Sequence, residues 1–371
     1  VPFFPQLGGI LVLAAGAHNI TLYMKAKKTL DQNLETVCYF MSALFAGKRL
    51  ARELKNACPG YCAKLEEALA PLHKLNFGSL ALSASPQTDL ETLTQVFGML
   101  TLLPIIEYGK AVKTIRQNSA QVRNLYLLLG ELDLSICILS YRASLSVYTT
   151  PQVGSSSALE FDDITHPLLA ESVPNSAAIN QNWLLTGSNA SGKSTFIKAV
   201  ALNIILAETI YTCTARRMVL QFLPVVTSMA VADDVTGGES YFVAEIKSMR
   251  RIVRGAESNA PFYFFIDEIL KGTNTIERVA ASTAVLRYID THATCVCLAA
   301  THDIELTELL TPQFRNMHFS ESVTQDGVRF DYQLKSGASN TRNAIRLLDF
   351  YNYPPEVVAA AQRLADSAAR C

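Results

Sequence analysis

The segment Gly187–Thr195, GSNASGKST, satisfies G-x-x-x-x-G-K-[ST]. Small residues at this spacing let consecutive backbone N–H groups turn inward on an anion, and a helix opening at the lysine adds its positive dipole end. The flanks suit that use: strand-like NWLL precedes the loop and the apolar helical pattern FIKAVALNIIL follows it. Gly187, Ser188, Asn189, Ala190, Ser191, Gly192, Lys193, Ser194 and Thr195 therefore read as a phosphate cradle for a nucleoside triphosphate. Lys193 would reach the β- and γ-phosphates and Ser194 would ligate Mg2+.

A second apolar run, FYFFIDE, closes on Asp267 and Glu268. A strand ending in acids puts carboxylates at the sheet's carboxyl edge, where Asp267 would hold Mg2+ and Glu268 would orient and activate an attacking water. TGGESYFVAEIKSMRRIVRGA reads as a glycine turn, Gly237-Gly238, opening a helix at Ser240, with Phe242, Ile246, Met249 and Val253 on one face. Alone, Ser240 is an ordinary N-cap that could also meet an anion. His302 follows the apolar strand CVCLAA, where a structural histidine and a γ-phosphate contact are both open.

The elements that must position these residues differ along the chain. From about Lys25 to Tyr148 apolar residues recur three and four apart, predicting several helices of ten to thirty residues, punctuated by Pro59-Gly60, the segment 83–88 and Pro104. TTPQVGSSS, residues 149–157, reads as a linker. Beyond it, strand-like runs at 183–185, 261–266 and 295–299 alternate with amphipathic helices, as in an α/β layer fold. MHFSESV and VRFDYQL around Gln325-Asp326-Gly327 predict a hairpin. From Asn340 the chain reads as two short helices broken at Pro354-Pro355.

The 371 residues, 49% apolar and 18% charged, exclude a disordered or collagen-like chain. Net charge is −1, so no global basic field marks a polyanion partner, although residues 1–150 carry 14 Lys+Arg against 10 Asp+Glu. Eight cysteines in a chain this long read as reduced thiols, since Cys58 and Cys62 lack a second pair at zinc spacing and Cys295 and Cys297 share a strand face. The apolar stretch Leu7–Ala17 is shorter than the roughly 20 residues of a membrane helix and lacks a basic flank. The chain begins at Val1 without an initiator Met and reads as a cytoplasmic fragment; a membrane partner would act only through a segment upstream of Val1.

Order and wording of these segments resemble the ATPase domain of the MutS family of DNA mismatch-repair proteins. GSNASGKST is similar to its G-P-N-x-x-G-K-S-T loop and DDVTGGESYFVAE to its D-D-L-x-x-G-x-S-T-F-x-x-E segment. FIDEILKGTNT is similar to D-E-x-x-x-G-T-S-T, ATHDIEL to A-T-H-x-x-E-L, and THPLL at 165–169 to the family's entry to this domain. The tail GASNTRNAIRLLDFYNYPPEVVAAAQRLA resembles its C-terminal dimerising helices. The resemblance spans about Ala158 to Ala365 and implies an N-terminal all-helical region over 1–150, resembling core and lever helices. An ABC-like P-loop ATPase domain over 151–371 would follow, with a dimerising tail from about 338.

It also implies ATP and Mg2+ as cofactors, a homodimer through the ATPase domains, and DNA, duplex or branched, as a partner. Ser240 and Gly237-Gly238 would act in trans on the partner's γ-phosphate, His302 in cis, with Asn189 and Thr273-Asn274 lining the interface. No Phe-x-Glu mismatch reader is found, so mismatch specificity is not carried over. Nor does an aromatic residue precede the loop, where family members stack adenine: ESVPNSAAINQ has none. A transporter ATPase would need L-S-G-G-Q and D-E-P where GGESYF and DEILKG stand. A membrane-tethered or scaffold ATPase whose ATP-driven dimerisation serves no DNA role remains the alternative.

Overall fold

The computed structural model describes residues 3–73, 75, 89–156, 158–188, 190–229, 241–258, 260–292, 296–324, 327–339, 345, 348, 350–351 and 353–368. The chain divides into two compact units, Val1–Ser140 and Tyr141–Cys371.

The first unit is helical: α1 (Phe3–Glu53), α2 (Pro59–Leu69), a short 3-10 turn (Ala70–Leu72), α3 (Asp89–Thr101), α4 (Leu103–Gln117) and most of α5 (Ser119–Ser144). α1 starts well before the expected Lys25 and runs 51 residues, longer than the ten to thirty expected. The Leu- and Ala-rich stretch Leu7–Ala17 favours helix and meets no proline after Pro5, so nothing ends the helix there. Pro59-Gly60 opens a helix instead of breaking one, because proline in the first turn forfeits no hydrogen bond; Pro104 does the same for α4. Val37, Phe40, Met41 and Leu44 form a 3–4 spaced stripe buried against Leu65 and Leu69 of α2 and Leu125 and Leu128 of α5. Opposite faces stay apolar yet exposed, as at Leu127, Leu134 and Leu139. No described helix is long and apolar enough to cross a membrane.

The second unit is α/β. Its main sheet has the order β12-β9-β4-β8-β7-β6, built from β4 (Asn182–Thr186), β6 (Val225–Ser228), β7 (Tyr263–Asp267), β8 (Val296–Ala300), β9 (Phe314–His318) and β12 (Lys335–Ser336). All neighbours are parallel except β12 on β9. Covered on both faces, the central strands β4, β7 and β8 read as apolar runs. On one face Trp183, Tyr263, Phe265 and Leu298 pack on Phe196, Val200 and Ile204 of α6 (Lys193–Ile210). On the other, Leu184, Phe264, Ile266 and Cys297 pack on Met249 and Ile252 of α7 (Tyr241–Glu257), Leu286 of α8 (Thr275–Asp290) and Leu306 of α9 (Glu305–Leu309).

A second sheet, β1-β5-β2-β3, comprises β1 (Gln152–Val153), β2 (Leu159–Ile164), β3 (Asn175–Ile179) and β5 (Arg217–Leu220). The expected linker at 149–157 therefore contributes an edge strand, with Thr149 bridging Cys213. The predicted hairpin is β10 (Glu321–Thr324) on β11 (Gly327–Phe330), but its first run is divided: Met317 and His318 belong to β9 of the main sheet. Gln325-Asp326, Cys295 and segment 83–88 lie outside the described residues. Of the expected C-terminal helix pair the second is α10 (Pro355–Ala368). Arg142, at the end of α5, donates to Thr212 Oγ1 and Tyr211 O, both at 2.9 Å, and so caps the carboxyl end of α6, whose first turn carries the phosphate loop.

Phe265 is fully buried between β7 and α6. Its truncation to alanine should cost about 3–5 kcal/mol, whereas Leu127→Ala on the exposed face of α5 should stay within about 0.5 kcal/mol. Denaturant midpoints of the two variants check the contrast, and equal losses would contradict the packing described.

Candidate functional site

Three parallel strands end side by side, and each delivers one part of the site. β4 runs into the phosphate loop, β7 ends at Asp267 and Glu268, and β8 leads to Thr301 and His302. Ligands of open parallel sheets bind at this carboxyl edge. A cavity of about 850 Å³ opens there, lined by Ser188, Ala190, Ser191, Gly192, Lys193, Ser194, Thr195, Glu268 and His302. The structure thus gathers nearly every residue singled out by spacing. Asn189, Gly237-Gly238 and Ser240 lie outside the described residues.

Two glycines let the loop fit. Gly187 has φ +142 and a Cβ there would stand 2.5 Å from the Phe319 carbonyl oxygen. Gly192, at φ +109, faces the Tyr332 ring at 3.1 Å. Both are left-handed conformations that side chains resist. Lys193 is buried and its ammonium donates to Gly187 O at 2.7 Å and Ser188 O at 2.9 Å. Burial lowers its pKa to about 8, while Glu268, Asp267 and Glu321 pull it back up. Ser191 Oγ is buried with no hydrogen-bond partner among the described residues, a donor suited to a phosphate oxygen.

The Ser194 hydroxyl donates to Asp267 Oδ1 at 2.9 Å. Hard oxygens from one hydroxyl and one carboxylate, completed by substrate phosphates, suit Mg2+, so these two residues fit the cation expected of them. Among the described residues no cluster of three or more His, Cys, Asp or Glu forms a separate metal site.

Glu268 takes the left-handed conformation, φ +60, directly after β7, which turns its carboxylate off the strand line. His302 Nε2 lies 2.6 Å from Glu268 Oε1, and Lys271 Nζ 2.5 Å from Glu268 Oε2. Burial pushes the Glu268 carboxyl up, but Lys271 and His302 together hold it below its ordinary value. His302, expected at the γ-phosphate, lines the same cavity and meets the acid.

One expected surface differs. On α7 Phe242 and Ile246 are exposed and Val253 half-buried; the buried face is Glu245, Ser248, Met249, Ile252 and Ala256. The reason is Glu245, whose carboxylate accepts from Lys271 N at 3.1 Å and Gly272 N at 2.9 Å. An acid satisfied by backbone amides is stable inside, and it ties α7 to the turn following the acid pair. Its only sequence signal was its place at the end of VAE. Asn274 caps α8, accepting from Glu277 N at 3.0 Å.

Other cavity residues were not read as site residues, although His166 belongs to the THPLL segment. Tyr332, with His166 and Phe319, lines the cavity and supplies an aromatic ring that the stretch 171–181 does not. His166 is held below its usual pKa by burial and by Lys198, which favours a neutral ring. Glu321, buried at the start of β10, accepts the Ser188 hydroxyl at 2.7 Å.

Triphosphate affinity should fall as pH climbs past about 8, because deprotonation of Lys193 removes the positive charge the phosphates need. Binding titrations across roughly pH 6.5–9.5 check this, and flat affinity would contradict it. Gly187→Ala should lose nucleotide binding while the chain still folds, since its Cβ meets backbone.

Comparison with known proteins agrees with this geometry. The family model described as MutS domain V matches residues 183–368. A protein of Natronomonas pharaonis named DNA mismatch repair protein MutS is 31% identical over 245 residues, covering 63% of this chain and 28% of that protein. Its namesake in Bacillus subtilis is 30% identical over 260 residues, 67% of this chain and 30% of that one. That of Fusobacterium nucleatum is 27% identical over 274 residues, 70% of this chain and 30% of that one. The chain thus spans less than a third of the length of these relatives. The matched span contains the phosphate loop, the acid pair and His302, and the chain belongs to the MutS family and carries its ATPase domain.

Proposed function

We propose that this chain is an ATP-driven switch: it binds ATP with Mg2+, hydrolyses it slowly, and couples its nucleotide state to DNA binding in repair or recombination. One observation carries the catalytic part, the convergence of Lys193, Ser194–Asp267 and Glu268–His302 on one cavity. The DNA part rests on the relatives' names as mismatch-repair proteins and on the mild basic excess of residues 1–150.

In this reading Lys193 and the loop amides hold the β- and γ-phosphates, with Ser191 Oγ adding a donor. Ser194 and Asp267 would hold Mg2+, which supplies neutralising charge to the phosphates. Glu268 orients water against the γ-phosphate, and His302 fixes the Glu268 carboxylate and reads the phosphate beside it. The Tyr332 ring gives the base an aromatic face. Ser240, with Gly237-Gly238, acts in trans across a homodimer of ATPase domains. Residues 1–150 form the helical arms, 151–371 the ATPase domain, and about 338–371 the dimerising tail. The exposed apolar faces of α3 and α5, including Leu93, Phe97, Leu134 and Leu139, favour a second reading in which ATP-driven dimerisation serves a scaffold.

Lys193→Ala should abolish ATP binding, and Glu268→Gln should bind ATP but lose on the order of a hundredfold in turnover. Ser240→Ala should impair turnover without weakening binding to the monomer, and should poison wild-type subunits in mixtures. Steady-state ATPase assays with duplex, mismatched and branched DNA test the DNA role. A DNA effect that fades with salt is expected; turnover indifferent to every DNA would favour the scaffold. Trp183 in β4, next to the loop, is the only tryptophan and offers a fluorescence signal for binding.

A further inference from the structure

His302 meets Glu268 through Nε2, and the turn bearing it is pinned from both sides. Thr301 N donates to Leu185 O at 3.0 Å, and Asp303 N donates to Thr301 Oγ1 at 3.0 Å. The Asp303 carboxylate, 9% exposed, receives a two-pronged grip from Arg278 in the first turn of α8: Nε to Oδ2 at 2.8 Å and Nη2 to Oδ1 at 2.6 Å. A bidentate guanidinium–carboxylate pair fixes direction as well as distance. The same guanidinium reaches Thr273 O and Thr275 Oγ1, each at 3.4 Å, on the turn that follows the acid pair. A pocket of about 200 Å³ joins the fork to the reacting groups, lined by Glu268, Lys271, Arg278, Thr301, His302 and Asp303.

We propose that Arg278 and Asp303 are positioning residues for His302, holding its imidazole against Glu268 and linking that contact to the amino end of α8. Arg278 lies three residues beyond the D-E-x-x-x-G-T-S-T pattern and Asp303 at a place that A-T-H-x-x-E-L leaves open, so neither residue is among those the patterns name. It rests on the hydrolysis reading for its purpose but not for its geometry. A buried charge pair of this kind contributes little net stability, because desolvation offsets attraction; its effect is to select one arrangement of the turn. Without the fork the turn keeps Thr301 and its backbone bonds but loses the tie to α8, and the ring loses its fixed approach to Glu268.

The test combines turnover with a direct view of the ring in the full chain. Arg278→Lys keeps the charge and breaks the fork; Asp303→Asn removes the charge and keeps the shape. Each should lower kcat about tenfold through misplacement alone, with ATP affinity, measured with Mg2+ present, within about twofold. The histidine ring NMR signal assigned to His302 should shift in both. In a His302→Ala background, Asp303→Asn should change kcat by less than about twofold, because nothing is left to position. An equal loss in that background, or kcat and ring signal unchanged in Arg278→Lys, would falsify the proposal. If wild type and Glu268→Gln alike show no turnover, the hydrolysis reading falls. The ring signal still decides the fork: a shift in both variants supports it, and none overturns it.

Discussion

A lysine ammonium buried at the carboxyl edge of a parallel sheet has to be compensated, and the second unit is arranged around that requirement. Lys193 lies under its own loop, taking two loop carbonyls as acceptors, with Asp267, Glu268 and Glu321 close enough to keep its charge bound. Asp267 and Glu268 close β7 and Glu321 opens β10 just beyond β9, so they reach Lys193 because β4, β7 and β9 are parallel strands of one sheet. The apolar layers on both faces of the sheet hold those ends in register. Exposed carboxylates on flexible loops would be screened and would not offset desolvation of this kind.

The same requirement explains why glycine stands at two points of the loop. Bringing the Gly187 and Ser188 carbonyls onto one ammonium curls the chain until Gly187 touches the Phe319 carbonyl and Gly192 the Tyr332 ring. Phe319 follows β9 and Tyr332 follows β11, so the hairpin region forms a wall of the nucleotide cavity. Glu321 at the hairpin's start then holds Ser188, where the family pattern has proline, and a hydrogen bond fixes a turn that a ring would otherwise stiffen.

Much of this was legible because the chemistry is local. The loop, the acids and His302 each sit where an apolar strand stops, and strands buried on both faces announce themselves as apolar runs. What stayed hidden depends on partners distant in sequence. Apolar spacing put Phe242, Ile246, Met249 and Val253 on one face of α7, but only Met249 of these is buried, and Glu245 joins the buried face since the amides of Lys271 and Gly272 bind it. Tyr332 could not be assigned to the cavity from its alternating run, which shows pairing and not what the strand leans on. MHFSESV looked like one strand because alternation continues across the boundary where β9 leaves the main sheet and β10 begins. The early start of α1 was missed for the opposite reason, since a Leu/Ala stretch without charge carries helix propensity but little periodicity.

The environment of Glu268 bears on tempo. A general base works best when its pKa lies near the operating pH, yet Lys271 and His302 hold this carboxyl below its ordinary value. Such an acid is a weak proton acceptor and a good orienting group: it can align water, while removing the proton depends on the phosphate or on loosening of Lys271 and His302. Lys271 belongs to the turn that Glu245 secures, and His302 to the turn that Arg278 secures. Both neighbours of the carboxylate are therefore fixed by helices, α7 and α8, on the same face of the sheet. In the proposed hydrolysis a shift of either helix would therefore act on the Glu268 carboxylate through Lys271 or His302, because neither tie runs through the phosphate loop.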